Sequence, residues 1–199
     1  MPVRKKPAAA PSAKVPPRTK EPRSAAERAE MMKLGMVSAR GAPRRADRPR
    51  KPIVARRAMR ATSILNEAFD YERPSSFARG IRYEPAGTAT LLISGTASID
   101  EQGLTEYLGD FRAQLWRTFR NITELLAAEG ATWHDIVRTS CYLRDIERDY
   151  RDFNEVRTEF FTWLGLDPLP ASTGIQARLC REDLLIEIEA IAVVPCDRK

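Results

Sequence analysis

The chain has 199 residues, enough for one domain with an extension, and a net charge of +6 from 33 Lys+Arg and 27 Asp+Glu. It contains no run of about 18 apolar residues, which excludes a membrane-spanning helix, and no apolar N-terminal stretch of the kind a secretory signal needs. Three widely spaced cysteines, Cys141, Cys180 and Cys196, predict reduced, mostly buried thiols and a cytoplasmic protein without a membrane partner.

The charge is unevenly placed. Residues 1–60 hold 18 Lys+Arg against four acids, a net of +14, and residues 61–199 hold 15 against 23, a net of −8. The overall value therefore describes neither part. Residues 1–58, rich in Pro, Ala, Arg and Lys, have too few large apolar side chains to offset chain entropy and are expected to be a disordered basic tail. Within them Ala25, Ala26, Ala29 and Met31 favour a helix over residues 24–34. A domain is expected from 62 to 196.

In chain order, residues 79–84 and 90–94 read as strands separated by the turn Pro85-Ala86-Gly87, and Asp100–Gly103 as another turn. A helix follows Gly109, with Asp110 as N-cap, the apolar stripe Leu115, Phe119, Ile122 and Leu126, and Gly130 as its stop. Residues 136–143 alternate, with Val137, Thr139, Cys141 and Leu143 on the core face. Tyr150, Phe153, Val156, Phe160 and Leu164 predict a second helix over 150–164, stopped by Gly165 and Pro168. Residues 173–179 and 184–194 complete a β-β-α-β-α-β-β order: an α+β fold, a mixed sheet with two helices on one face. The last strand is apolar on both faces apart from two glutamates. Helices can cover only one face, so the other is expected to pack against further copies of the chain.

Several chemistries are disfavoured by composition. His134 is the one histidine, and no zinc-ligand cluster is visible. A Ser-His-Asp system would have to use His134, which sits at a helix-to-strand turn and reads as a surface residue. Ser94–Ser98 is neither a nucleophile elbow nor a phosphate loop. No metal or cofactor is expected.

Ile93-Ser94-Gly95-Thr96-Ala97, Gly109-Asp110, Gln114, Asn121, Glu129-Gly130-Ala131, Phe153-Asn154-Glu155-Val156, Pro170-Ala171 and Ile186-Glu187-Ile188-Glu189-Ala190-Ile191-Ala192 follow one another as they do in the Rid (YjgF) family. The chain resembles that family from Phe77 to Val194. The resemblance implies a chorismate-mutase-like topology, a homotrimer and pockets between subunits. In deaminating members an arginine of a Pro-Ala-Arg motif forks onto the substrate carboxylate, a tyrosine lines the pocket, and a glutamate positions water. Here the matching positions hold Ser172, Phe77 and Glu187, and Gly174 stands where a cysteine is found.

The resemblance thus implies Glu187 as the catalytic carboxylate, with Asn154, Ser172, Thr173, Gly174, Phe77 and Arg79 lining the substrate pocket. An Arg–carboxylate fork gains about 1.5–3 kcal/mol per charge-assisted bond, which a serine hydroxyl cannot match. Gln176 and Arg178 lie about 13 and 20 Å along the strand from Ser172, too far to substitute. Arg79, beside Phe77, is the expected replacement. Glu187, flanked by Ile186 and Ile188, is expected to be partly buried with a raised pKa, which suits a base acting on water; Glu189 reads as structural.

The implied function is hydrolysis or deamination of a small imine, enamine or enol-type metabolite. A second resemblance, of Ser94–Ile99 and Cys180–Glu187 to the C-terminal half of chorismatases, implies enol-ether hydrolysis at the same glutamate, although those enzymes carry a second half absent here. The missing arginine also fits a non-catalytic ligand- or partner-binding member. The tail's charge predicts weak, salt-sensitive polyanion or nucleic-acid association, without aromatic residues to stack bases.

Overall fold

The structure, a computed structural model, describes residues 24–37, 54–72, 74–85 and 87–196. Most of the expected basic tail, residues 1–23 and 38–53, lies outside the described residues, and with it the expected polyanion-binding segment. The helix anticipated there is α1 (Ala25–Lys33), capped by Ser24, whose Oγ accepts from the Glu27 amide at 3.1 Å; it buries no side chain.

Six strands form one sheet: β1 (Ala55–Ala58), β2 (Gly80–Glu84), β3 (Thr88–Ala97), β4 (Ile136–Leu143), β5 (Ala171–Gln176) and β6 (Ile186–Pro195), in the spatial order β1-β2-β3-β6-β4-β5. Only β4 and β5 run parallel, so the sheet is mixed. Helices α2 (Phe111–Ala127) and α3 (Ile146–Leu164) pack together and cover one face. The architecture is α+β, as the element order predicted.

Strand β1 corrects the expected boundary of disorder at residue 58. Ala55–Ala58 pairs antiparallel with β2, and Arg57 makes a two-pronged ion pair with the buried Glu129, at 2.7 and 2.5 Å. Met59 and Ala61, outside the expected domain start at 62, are buried in the core. The composition of this segment conceals the strand because it is held by partners distant in the chain.

The core follows from two periodicities. On β6, Ile186, Ile188, Ala190, Ala192 and Val194 alternate inward. They meet Leu115, Phe119, Ile122 and Leu126 of α2 and Phe153, Val156 and Phe160 of α3. Phe119 and Phe160 stack at 4.7 Å, and Trp133 meets both edge-on. Asp110 caps α2 by accepting from the Ala113 amide at 3.0 Å. Beyond that helix the Ala131 amide reaches back to the Leu126 carbonyl around Gly130, which has φ +69°.

Local differences from the sequence pattern have identifiable causes. Helix α3 starts four residues earlier than its apolar stripe because Asp145 caps it, accepting from the Arg148 amide at 3.0 Å. A register shift at the start of β4 puts Ile136 rather than Val137 in the core; Val137 is 49% exposed. Strand β5 ends at Gln176, so Cys180 falls in the following loop and is exposed, contrary to the expected burial, whereas Cys141 is buried.

Candidate functional site

The expected site residues separate into two groups on opposite faces of the sheet. Thr139 pairs with both Ser172 and Ala190 in register, and its side chain is buried beneath the helices. The Ser172 side chain is on that face, since its Oγ accepts from Thr139 Oγ1 at 3.1 Å. Tyr142 pairs with Glu187 one residue out of phase, and its hydroxyl donates to Glu189 at 2.8 Å across the open face. Glu187 therefore looks away from Ser172.

Around Glu187 the decisive feature is a bulge. Between Ile93 and Thr96, β3 carries one residue more than β6 opposite, and the extra backbone at Ser94–Gly95 lies over the Glu187 carboxylate. A Cβ on Gly95 would stand 1.8 Å from Glu187 Oε1, so only glycine leaves the carboxylate its place. Ser94 pins the bulge by donating from Oγ to the Ala78 carbonyl at 2.8 Å. Burial raises the Glu187 pKa, and Glu189 raises it further against the opposing pull of Arg181. Arg181 is itself held by donating to the Gly103 carbonyl while its own carbonyl accepts from Arg144.

Arg79, expected at the mouth of the pocket, is buried within the single chain. It is 4% exposed and directs Nε and Nη2 to the Asn66 carbonyl, at 3.0 and 2.9 Å, and Nη2 also to the Tyr71 hydroxyl. Its guanidinium lies against the rings of Tyr71 and Phe77, 5.0 and 5.5 Å from their centroids. Burial lowers its pKa to about 10. Through Nε and Nη2 it fastens the segment that presents the exposed Phe77.

The second group lies under α3. Asn154 Oδ1 accepts from Arg157 Nη2 at 2.6 Å, and Arg157 Nη1 reaches Ser172 Oγ at 3.2 Å. Gly174 is in register with the buried Cys141, and a Cβ there would meet nothing within 4 Å. Thr173 departs from its expected company: it is in register with Ser140 and accepts from Arg138 Nη2 at 3.0 Å, on the open face. Arg157 was not singled out from the sequence. Its signal was the spacing of three from Asn154, which puts both on one helix face. Among the described residues no group of three His, Cys, Asp or Glu is placed to hold a metal ion, and no helix is long and apolar enough to cross a membrane.

The chain is thus a small α+β protein with a glutamate under a glycine bulge on one face of its sheet and an Asn-bearing helix on the other. The model of the endoribonuclease L-PSP family matches residues 64–194. A RutC family protein of Pyrococcus abyssi is 32% identical over 102 residues, covering 51% of this chain and 76% of its own. The 3-aminoacrylate deaminase RutC of Acinetobacter baylyi is 32% identical over 114 residues, covering 56% and 86%. The crystal structure of YyfA, a Rid-family protein of unknown function from Yersinia pestis, superposes with a TM-score of 0.57 at 23% identity, over 70% of this chain and all of that one. The chain belongs to this family, the Rid or RutC family.

Proposed function

We propose that the chain is a hydrolytic deaminase of small imines or enamines, working at a pocket closed between the subunits of a homotrimer. The observation that carries this reading is the Glu187 carboxylate, half-buried under Gly95 with its pKa raised. Such a carboxylate is a stronger base than a solvated one, as removal of a proton from water requires. Glu187 accepts a proton from water as the water oxygen adds to the imine carbon. On the protonated imine it returns that proton to the carbinolamine nitrogen, and as the C–N bond breaks Glu187 takes the hydroxyl proton, later lost to solvent, leaving a carbonyl compound and ammonia. An enamine enters by the same route after protonation at carbon.

Two further features support the intersubunit pocket. The open face of the sheet exposes Leu92 and Val193, each 40% accessible, an apolar surface that a second copy would cover. The Glu187 and Asn154 groups, on opposite faces of one subunit, can meet only if each faces the other's counterpart on a neighbour. The relative named 3-aminoacrylate deaminase supplies the chemical class: an enamine whose hydrolysis releases ammonia.

The test is ammonia release from 2-aminoacrylate-type imines generated in place by an auxiliary enzyme. Wild type should accelerate it, and Glu187→Gln should remove about 100-fold or more of that acceleration. Undiminished activity in the variant rejects Glu187 as the base. No activity in wild type, with retained ligand binding, leaves a binding protein.

A further inference from the structure

We propose that Arg157, reaching across from α3, is the anchor for a substrate carboxylate, taking over from the helix the task that a strand arginine would perform at position 172. The proposal rests on the deaminase reading above for its substrate class, and on independent geometry for the residue.

Arg157 is held as a guanidinium must be held to recognise a planar anion. Its face lies on the buried Phe153 ring, 4.6 Å from the centroid. One edge is fixed by Asn154 Oδ1 at 2.6 Å and by Ser172 Oγ at 3.2 Å. Those bonds use two of its five N–H donors. Ser172 Oγ is itself held by Thr139, so the strand supplies a post and the helix supplies the charge.

The guanidinium has no carboxylate in salt-bridge contact among the described residues. It lines a cleft of about 590 Å³ with Phe161, Leu166, Asp167, Leu169 and Ser172, and Asp167 does not pair with it. An oriented cation without a counter-ion, at an otherwise largely apolar cleft, calls for an anionic ligand. Serine at 172 is what makes room for it: a long side chain there would occupy the place where the Arg157 head now sits. Open space over Gly174 leaves the neighbouring stretch of strand clear for the rest of a small molecule.

The ligand class is therefore a short 2-oxo, 2-imino or enamino acid, with its carboxylate on Arg157. The probe is 2-oxobutanoate, with 2-butanone as its uncharged counterpart, titrated calorimetrically into the full-length protein. Wild type should bind 2-oxobutanoate well above 2-butanone, and Arg157→Gln should weaken the acid about 10- to 100-fold without changing the ketone. Recovery of acid binding in Arg157→Gln/Ser172→Arg shows that the loss is of the cation and not of the fold. Arg157→Gln binding 2-oxobutanoate as wild type does, or wild type binding it no better than 2-butanone, overturns the proposal. Glu187→Gln separates the two readings, because it should keep acid binding while losing turnover. Acid binding that depends on Arg157 in a protein without turnover sinks the deaminase and spares the anchor; turnover whose KM ignores Arg157→Gln does the reverse.

Discussion

Glu187 and Ser172 occupy neighbouring stretches of one sheet, separated by β4, yet their side chains leave it on opposite faces. A substrate that touches both must lie between two copies of the chain. At substrate too dilute for Arg157→Gln to bind, mixing it with Glu187→Gln should then restore activity, because some interfaces combine an intact Glu187 from one chain with an intact Arg157 from another. Random mixing in a ring should restore about a quarter of the sites. Activity after co-refolding equal to the sum of the two separate variants would place both groups in a single subunit.

Gly95→Ala tests the bulge. The added methyl group meets the movable end of Glu187 rather than backbone, so the fold can accept it by turning the carboxylate aside. The thermal midpoint should move by no more than about 3 °C, while ammonia release falls as far as in Glu187→Gln. A fully active Gly95→Ala protein would show that the carboxylate need not lie where it does.

The pH dependence has a definite sign. With Glu187 as the base, the acid limb of activity should lie above the ordinary glutamate value. Glu189→Gln should move that limb to lower pH, because Glu189 helps raise the Glu187 pKa, and Arg181→Gln should move it to higher pH. Stability follows by linkage. A carboxylate whose folded pKa exceeds its unfolded one stabilises the fold below the unfolded value and loses that contribution as pH rises through the folded one. Glu187→Gln should therefore raise the midpoint at pH 7, with the gain lost as the pH falls below the unfolded glutamate value.

Truncation separates tail from sheet. Removing residues 1–53 takes away the buried Val37 but keeps β1, and gives the reference midpoint. Removing 1–58 also takes away β1 and the Arg57 partner of Glu129, whose side chain is 1% exposed. Arg82 stays within 3.7 Å and softens the loss, so the cost should be about 1–3 kcal/mol in a denaturant titration. Equal midpoints for the two truncations would mean that β1 adds nothing.

Much of the fold was readable from local chemistry. Asp110 and Gly130 bracket α2 and the stripe of Leu115, Phe119, Ile122 and Leu126 marks its buried face, because caps and periodicity act over a few residues. Glu187 could be singled out as a candidate because it sits in a motif of contiguous residues. Strand β1, the bulge at Ser94–Gly95 and the true position of Arg79 were not readable, since each depends on a partner far along the chain: Glu129, Glu187 and Asn66 respectively.

The amino-acid order alone determined the α+β element sequence, the family and the absence of an arginine at position 172, all of which follow from nearest neighbours along the chain and from side-chain period. Only the tertiary structure decided which guanidinium stands near Ser172, that Arg79 is buried against Tyr71 and Phe77, and that Glu187 and Ser172 look in opposite directions. A strand's alternation says which residues share its face. It does not say which helix will lean over that face, nor where a bulge will reverse the count.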